Sequence, residues 1–138
     1  MKVEPYVFFE GRTEEALEFY AKAVGAKVQM LMRYSDSPNP VPKEMLPPGG
    51  AAKVMHASFL VGESRINASD GYVRGEPRFE SFSLATTVAD EAEAKRVYQA
   101  LLADGGEVRS PLQKTFFSPC FGMLRDKFGV GWMVLAEH

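Results

Sequence analysis

Apolar residues recur at three- and four-residue spacings in TEEALEFYAKAV, which predicts an amphipathic helix over residues 13–24. Thr13 stands at its start, and we expect the Thr13 side chain to cap the helix. Glu14 and Glu15 then lie in the first turn, where the helix dipole favours negative charge. Gly25 occupies the position of a left-handed C-cap, so the helix is expected to end at residue 24.

A second helix is predicted from a capping box in which Asp90 is followed three residues later by Glu93. The helical spacing of apolar residues continues over 94–102, and the glycine pair 105–106 ends it. Eight segments rich in β-branched and aromatic residues predict strands. These strands are expected at 3–9, 26–34, 54–61, 64–69, 82–88, 106–116, 120–126 and 129–137.

The order strand, helix, three strands therefore occurs twice. Each helix contains a Glu-Ala pair with a tyrosine four residues after the alanine, Tyr20 in the first helix and Tyr98 in the second. Two amphipathic helices also resemble one another by chance. Two βαβββ halves each leave an apolar sheet face, which is best buried by curving around a shared cavity. The pattern predicts an α+β fold in which modules of about 1–70 and about 79–138 form one domain.

A proline-rich segment separates the second and third predicted strands. Residues 35–52 hold five prolines and two glycines, a composition that continues neither a helix nor a ladder. Connections of this length often act as lids or binding loops. We therefore expect a long loop that is able to cover a cavity.

Composition narrows the class of protein. The 138 residues fit one domain, and 46% hydrophobic with 25% charged residues is typical of a folded protein. A net charge of −2 lacks the basic excess that nucleic-acid binding needs, so no nucleic-acid partner is expected. Cys120 is the single cysteine, which excludes an internal disulfide and fits a reducing compartment. Without a signal peptide or an apolar run of about 18 residues, we expect a cytoplasmic protein that has no membrane partner.

Three long segments make the sequence recognisable. They are PYVFFEGRTEEALEFYAKAVGAKV, MHASFLVGESRINASD and TFFSPCFGMLRDKFGVGWMV. Together they resemble the PhnB-like branch of the vicinal oxygen chelate superfamily, which includes glyoxalase I, bleomycin-resistance proteins and extradiol dioxygenases. The resemblance implies two βαβββ modules that form an open, eight-stranded cup, usually in a homodimer.

Superfamily members with metal chemistry place His, Gln or Glu on four strands around a divalent ion. The resemblance puts Pro5 at the first of these positions, Asn67 at the second, Ser81 or Ser83 at the third and Met133 at the fourth. Proline has no donor, and a thioether suits Cu(I) better than Mg, Mn, Ni or Zn. We therefore expect no divalent metal site of the usual kind and no other cofactor. Methyl transfer is not supported either, because no Gly-rich loop follows a strand to hold an adenosyl cofactor.

Seven residues are candidates for lining a ligand pocket. They are Val7, Phe9, His56, Asn67, Ser69, Phe117 and Trp132. His56 is either a general acid or base or a hydrogen-bonded wall residue, and by alternation Asn67 and Ser69 face the same way. If Pro5 occupies a ligand position, Val7 and Phe9 on the same side of the first strand form an apolar wall.

The aromatic residues near the last hairpin, Phe117 and Trp132 among them, either stack on a planar ligand or pack in a core or dimer interface. Asp70 is expected to be a turn residue, and Cys120 a structural thiol, since no cationic residue adjoins it in sequence.

The function expected from the sequence is the binding of a small, partly apolar molecule by a glyoxalase-fold protein with no assigned catalysis. One alternative is a metal-dependent lyase, isomerase or dioxygenase with a shifted ligand set, such as His56 with Asn67 and either Glu4 or Asp70. Another is an antibiotic-sequestering binder that uses the aromatic cluster. The expected partners are the small-molecule ligand and a second copy of the chain.

Overall fold

The computed structural model describes residues 1–73 and 75–138, which divide into two compact units, Met1–Pro77 (unit 1) and Arg78–His138 (unit 2). Unit 1 holds β1 (Tyr6–Phe8), α1 (Thr13–Val24), β2 (Lys27–Arg33), β3 (Val54–Val61) and β4 (Ser64–Ser69). Unit 2 holds β5 (Leu84–Val88), α2 (Glu91–Leu102), β6 (Glu107–Gln113), β7 (Phe121–Arg125) and β8 (Gly131–Ala136). The α+β class and the two βαβββ modules are confirmed. That they form one domain stays a prediction.

Unit 1 is a four-stranded sheet in the order β1-β4-β3-β2. The β1–β4 pair is parallel and the other two pairs are antiparallel. Helix α1 packs against β3, where the rings of Tyr20 and Phe59 stack with centroids 6.0 Å apart. Ala16 and Tyr20 of the helix and Ala57 and Ala68 of the sheet are all buried, which is consistent with the helix covering one sheet face.

The start of α1 is fixed by a residue from the far end of unit 1. Asp70 Oδ1 accepts a hydrogen bond from the Thr13 backbone N–H at 2.9 Å, and Asp70 Oδ2 accepts one from the Val54 N–H at 2.8 Å. The Thr13 side chain makes no capping bond, so the predicted Thr13 cap is wrong. Asp70 does precede the turn at Gly71, but its buried carboxylate also joins the helix start to β3.

Unit 2 repeats this arrangement in the order β5-β8-β7-β6, with β5–β8 parallel. Asp90 Oδ1 accepts from the Glu93 N–H at 2.9 Å, which confirms the predicted cap of α2. The Tyr98 hydroxyl donates to the Ser110 and Met123 carbonyl oxygens at 3.0 and 3.2 Å. The helix is thereby anchored to β6 and β7.

The predicted bounds of α1, β3 and β4 are confirmed, whereas β1 and β5 begin two to three residues later than the patterns predict. The proline-rich connection is confirmed as a loop, into which three single turns of 3-10 helix are folded. They lie at Tyr34–Asp36, Lys43–Met45 and Gly50–Ala52. Neither helix in the described part of the chain is long and apolar enough to span a membrane.

Candidate functional site

Each sheet has a helix-covered face and an opposite face, which we call the open face. On unit 1 one row of the open face crosses all four strands through paired residues. The row consists of Tyr6, Asn67, Ser58 and Met30. His56 lies two residues before Ser58 on β3 and is paired with Met32, which lies two residues after Met30 on β2. Alternation therefore puts both side chains on the same face as the row.

His56 is held on this face by a hydrogen bond between its Nδ1 and the Tyr6 hydroxyl, 2.8 Å apart. Either partner can donate, because the tautomer of His56 decides the direction. Partial burial raises the pKa of Tyr6, and Tyr34 adds to the effect, so the phenol stays protonated at neutral pH. The ring of Phe8 lies 5.0 Å from that of Tyr6, which gives the polar pair an aromatic border.

The other two polar candidates of unit 1 have partners of their own. Asn67 Nδ2 donates to Glu4 Oε1 at 3.2 Å. Burial tends to raise the pKa of Glu4, but the bond from Asn67 and the charges of Lys2 and Arg65 lower it overall. The hydroxyl of Ser69 is buried and bonds the Val54 carbonyl and the Gly71 N–H, so it braces the end of the hairpin.

Val7 and Phe9 lie on the helix-covered face of unit 1. They are 4% and 1% exposed, and the Phe9 ring lies 6.0 Å from that of Tyr20 in α1. The sequence-based placement of these two residues on a pocket wall is therefore wrong. The alternation was read correctly, but α1 covers the side that carries Val7, which leaves Tyr6 and Phe8 exposed.

A recess lies within unit 2, on its open face. It has a volume of about 710 Å³. Met123, Arg125, Gly131 and Met133 form its floor, and the segment 79–83 forms one wall. We call this recess the unit 2 hollow.

Gly131 lets the wall of the hollow approach its floor. A Cβ at this position would meet Ser83 Oγ at 2.9 Å and the Phe82 carbonyl oxygen at 3.1 Å. Sequence reasoning named Ser81, Ser83 and Met133 only as replaced metal positions, and the structure brings all three to the hollow. It did not identify Arg109 and Arg125, since no sequence motif links residues from neighbouring strands.

Two arginines give the hollow its cationic side. Arg109 and Arg125 both approach Glu107, but their closest N···O distances are 3.9 and 4.0 Å, the outer limit for an ion pair. All three side chains are about one-third or more exposed. Because exposed pairs at this distance are weak, both guanidinium groups are able to exchange Glu107 for another anion.

Trp132 does not line the hollow. It lies on the helix-covered face, 2% exposed, and its indole N–H donates to Asp126 Oδ2 at 2.9 Å. The core interpretation of Trp132 is therefore correct, and its placement among pocket residues is wrong. Phe117 is 43% exposed and makes edge contacts with Phe116 and Phe121, so it belongs to an aromatic cluster at the surface.

The residues at the positions where the resemblance implies metal ligands do not fit a divalent ion. They offer an amide at Asn67, a thioether at Met133, a hydroxyl at Ser81 or Ser83 and no donor at Pro5. Within residues 1–73 and 75–138, no group of three or more His, Cys, Asp or Glu side chains is placed to hold a metal.

The alternative ligand set fits no better. Both Asp70 oxygens accept backbone N–H groups, and Asp70 packs on the helix side of the sheet opposite His56. Glu4 is engaged by Asn67 and Lys2.

The paired βαβββ modules define a protein with the glyoxalase-like fold. A glyoxalase-related enzyme from Fulvimarina pelagi has the same fold, with a TM-score of 0.65 at 18% identity over 99% of this chain and 88% of that one. A family model described as 3-demethylubiquinone-9 3-methyltransferase matches residues 1–135. The chain belongs to this family, the PhnB-like branch.

Three relatives share nearly the whole length of the chain. Protein YjdN of Escherichia coli strain K12 is 30% identical over 97% of this chain and 94% of its own. The structure of PA1353 from Pseudomonas aeruginosa is 33% identical, with a TM-score of 0.82 over 99% of this chain and 98% of that one. A Bacillus cereus PhnB protein, described as a putative 3-demethylubiquinone-9 3-methyltransferase, is 30% identical, with a TM-score of 0.78 and 99% of both chains covered.

Proposed function

We propose that this protein binds a small organic anion with an apolar body in the unit 2 hollow, and that it does so without a divalent metal. The observation that carries the proposal is the hollow of about 710 Å³, which is lined by Ser81, Ser83 and Met133. Sites for small molecules commonly have volumes of roughly 300–1,000 Å³.

The lining supports a partly apolar ligand. The thioethers of Met123 and Met133 lie side by side on paired positions of β7 and β8, and Phe79 and Phe82 face them from the wall. Methionine adapts to ligands of irregular shape, because its side chain is unbranched and polarisable.

The charge of the lining supports an anion. Arg109 and Arg125 contribute two positive charges to the hollow and Glu80 one negative charge. Planar guanidinium groups bind carboxylates and related anions through paired hydrogen bonds. Glu107 lies at the rim of this arrangement, and a ligand carboxylate competes with it for both arginines.

Benzoate and benzyl alcohol, which differ in charge, test the proposal when titrated into ¹⁵N-labelled protein. We expect benzoate to shift the amide resonances of residues 79–83, β7 and β8, and benzyl alcohol to bind at least tenfold more weakly. Arg125→Gln is expected to weaken benzoate binding about tenfold, whereas Glu107→Gln strengthens it because it removes the competing carboxylate. Arg96→Gln is the matched control, since Arg96 pairs with Glu93 on α2 and does not line the hollow.

The proposal is overturned if the two probes bind equally well or if Arg125→Gln binds benzoate as tightly as the parent protein. Resonance shifts centred on Phe117 with a planar drug would favour the antibiotic-sequestering alternative, because Phe117 and Phe116 form an exposed aromatic pair. The absence of a metal is tested separately by mass spectrometry of protein purified under native conditions. About one divalent ion per chain would contradict that part of the proposal and support the metal-dependent alternative.

A further inference from the structure

Two methionines and the histidine of the open face of unit 1 lie within one small area. From this arrangement we propose a binding site for a soft monovalent metal ion, Cu(I), formed by His56 Nε2 and the thioether sulfurs of Met30 and Met32. This site shares no residue with the unit 2 hollow, and neither proposal depends on the other.

The strand register brings the three side chains together. Met32 is paired with His56 and Met30 with Ser58 in the antiparallel β2–β3 ladder. Side chains that face each other across such a ladder have Cβ atoms about 4.5–5.5 Å apart, and diagonal neighbours are about 7–8 Å apart. Met32 is therefore the direct neighbour of His56, and Met30 is its diagonal neighbour, within reach of a flexible methionine side chain.

The imidazole is oriented for coordination through Nε2. Its Nδ1 is 2.8 Å from the Tyr6 hydroxyl, and the two rings lie 5.6 Å apart at 35°. No other residue in the described part of the chain hydrogen-bonds the ring, so Nε2 has no protein partner there. When Nδ1 carries the proton and donates it to the Tyr6 oxygen, Nε2 presents its lone pair. Metal-binding histidines are commonly held by such a second bond.

The chemistry of the donors selects the ion. Thioether sulfur favours Cu(I), whereas Mg²⁺, Ca²⁺ and Mn²⁺ prefer oxygen ligands. Neither nearby candidate carboxylate is assigned to the site, because Asp70 belongs to the opposite side of the sheet and Glu4 is bonded to Asn67. Met30 is also 43% exposed, so it contributes little to a core.

The test is an anaerobic titration of Cu(I) against a chromophoric chelator. It uses full-length Cys120→Ala protein, which removes the one thiol that would compete for Cu(I). We expect one Cu(I) per chain. Ag(I), which is not redox-active here, should shift the methyl resonances of Met30 and Met32 in spectra of ¹³C-methionine protein.

The variants separate this site from adventitious binding. Met32→Leu and His56→Gln are each expected to lower the Cu(I) affinity at least tenfold, and Tyr6→Phe to lower it less, because its effect is indirect. Met45→Leu is the matched control, since Met45 is 65% exposed in the long loop. Methionine-to-leucine changes conserve volume, and the thermal unfolding of each variant verifies that it is folded.

The proposal is overturned if Met32→Leu and His56→Gln bind Cu(I) as tightly as the Cys120→Ala parent. It is also overturned if Ag(I) shifts the Met1 and Met45 methyl resonances while leaving those of Met30 and Met32 unchanged, or if no Cu(I) binds. Benzoate binding in the unit 2 hollow is expected to be the same in all these variants. A failure of one site is thus distinguishable from a failure of the other.

Discussion

The two units use the same helix-to-sheet packing and differ on their open faces. In each unit an alanine and a tyrosine four residues apart on the helix are buried, Ala16 with Tyr20 in α1 and Ala94 with Tyr98 in α2. This recurrence gives the faint sequence echo a physical basis, because both helices place a small residue and a large one against a four-stranded sheet. The covered faces are therefore constrained by packing in both units.

The open faces carry no such common pattern. The row across unit 1 is Tyr6, Asn67, Ser58 and Met30, whereas the row across unit 2 is Ala85, Met133, Met123 and Ser110. Unit 1 presents an imidazole and a phenol on a face whose aromatic residues are about half exposed. Unit 2 presents arginines and thioethers in a hollow. The same frame thus carries two different chemistries, and function is to be sought on these faces.

Buried aspartates are structural in both units. Asp126 accepts three hydrogen bonds within the last hairpin of unit 2, from the Phe128 and Val130 N–H groups and the Trp132 indole. Asp70 accepts two in unit 1, and these join a helix to a strand. The comparison predicts that removing a carboxylate lowers the free energy of unfolding more when that carboxylate accepts more hydrogen bonds.

The largest effect is expected for Asp126→Ala. It removes the acceptor of two backbone N–H groups and one indole N–H, at a residue that is only 2% exposed. Unsatisfied buried donors cost about 1–3 kcal/mol each, and partial rearrangement reduces the sum, so we expect a loss of about 3–4 kcal/mol. Urea denaturation measures the free energy of unfolding. A loss below about 1 kcal/mol would show that this carboxylate does not brace the hairpin.

Asp70→Ala is expected to destabilise the protein by about 2–3 kcal/mol, because two donors lose a charged acceptor. The N–H groups concerned belong to Thr13 and Val54, so hydrogen exchange should accelerate selectively at those amides. Asp70→Asn is the control, since its single carbonyl oxygen replaces one of the two acceptors. Equal destabilisation by both variants would contradict the assignment of separate roles to the two oxygens.

The element order was predictable because periodicity is a local property. The residue that caps α1 was not predictable, because the backbone N–H of Thr13 donates to the carboxylate of Asp70, 57 positions later in the chain. The wrong placement of Val7 and Phe9 has a related cause: alternation divides a strand into two faces but does not say which face a helix will cover.

Alternation placed Asn67 and Ser69 on one face of β4, and their pairing with Tyr6 and Phe8 of β1 agrees with this. It could not identify Tyr6 as the partner of His56, since the two strands are not neighbours in the sheet. The arginines of the hollow also depend on strand pairing, which no spacing in the sequence reveals.

A third effect concerns how closely α2 approaches its sheet. Gly122 lies beneath Tyr98, and a Cβ at Gly122 would lie 2.8 Å from the Tyr98 ring and 3.0 Å from a methyl of Leu112. Gly122→Ala is therefore expected to cost about 2 kcal/mol through overpacking. The double variant with Tyr98→Ala should recover part of this loss, because the ring that clashes is gone. An additive double-mutant cycle, measured by urea denaturation, would contradict the proposed clash.

The smallest effect on stability is expected for two ion pairs, one that joins a helix to a strand and one that lies within a single helix. Glu14 of α1 pairs with Arg33 at the end of β2, whereas Glu93 and Arg96 are three residues apart on α2. The hydrogen bond from Arg33 lowers the pKa of Glu14 below its ordinary value of 4.5, and burial opposes this shift. The stabilisation is therefore fully present above about pH 4.5 and is lost as pH falls through the lowered pKa of the folded state.

Because both side chains are at least one-third exposed, Glu14→Gln should cost no more than about 0.5 kcal/mol at pH 7. The difference in unfolding free energy between parent and variant should disappear as pH falls below the lowered pKa of Glu14, and it should decrease with added salt. Glu93→Gln is the matched comparison and should leave the exchange of amides in β2 unchanged. If Glu14→Gln also leaves that exchange unchanged at pH 7, the Glu14–Arg33 pair does not tie α1 to the sheet of unit 1.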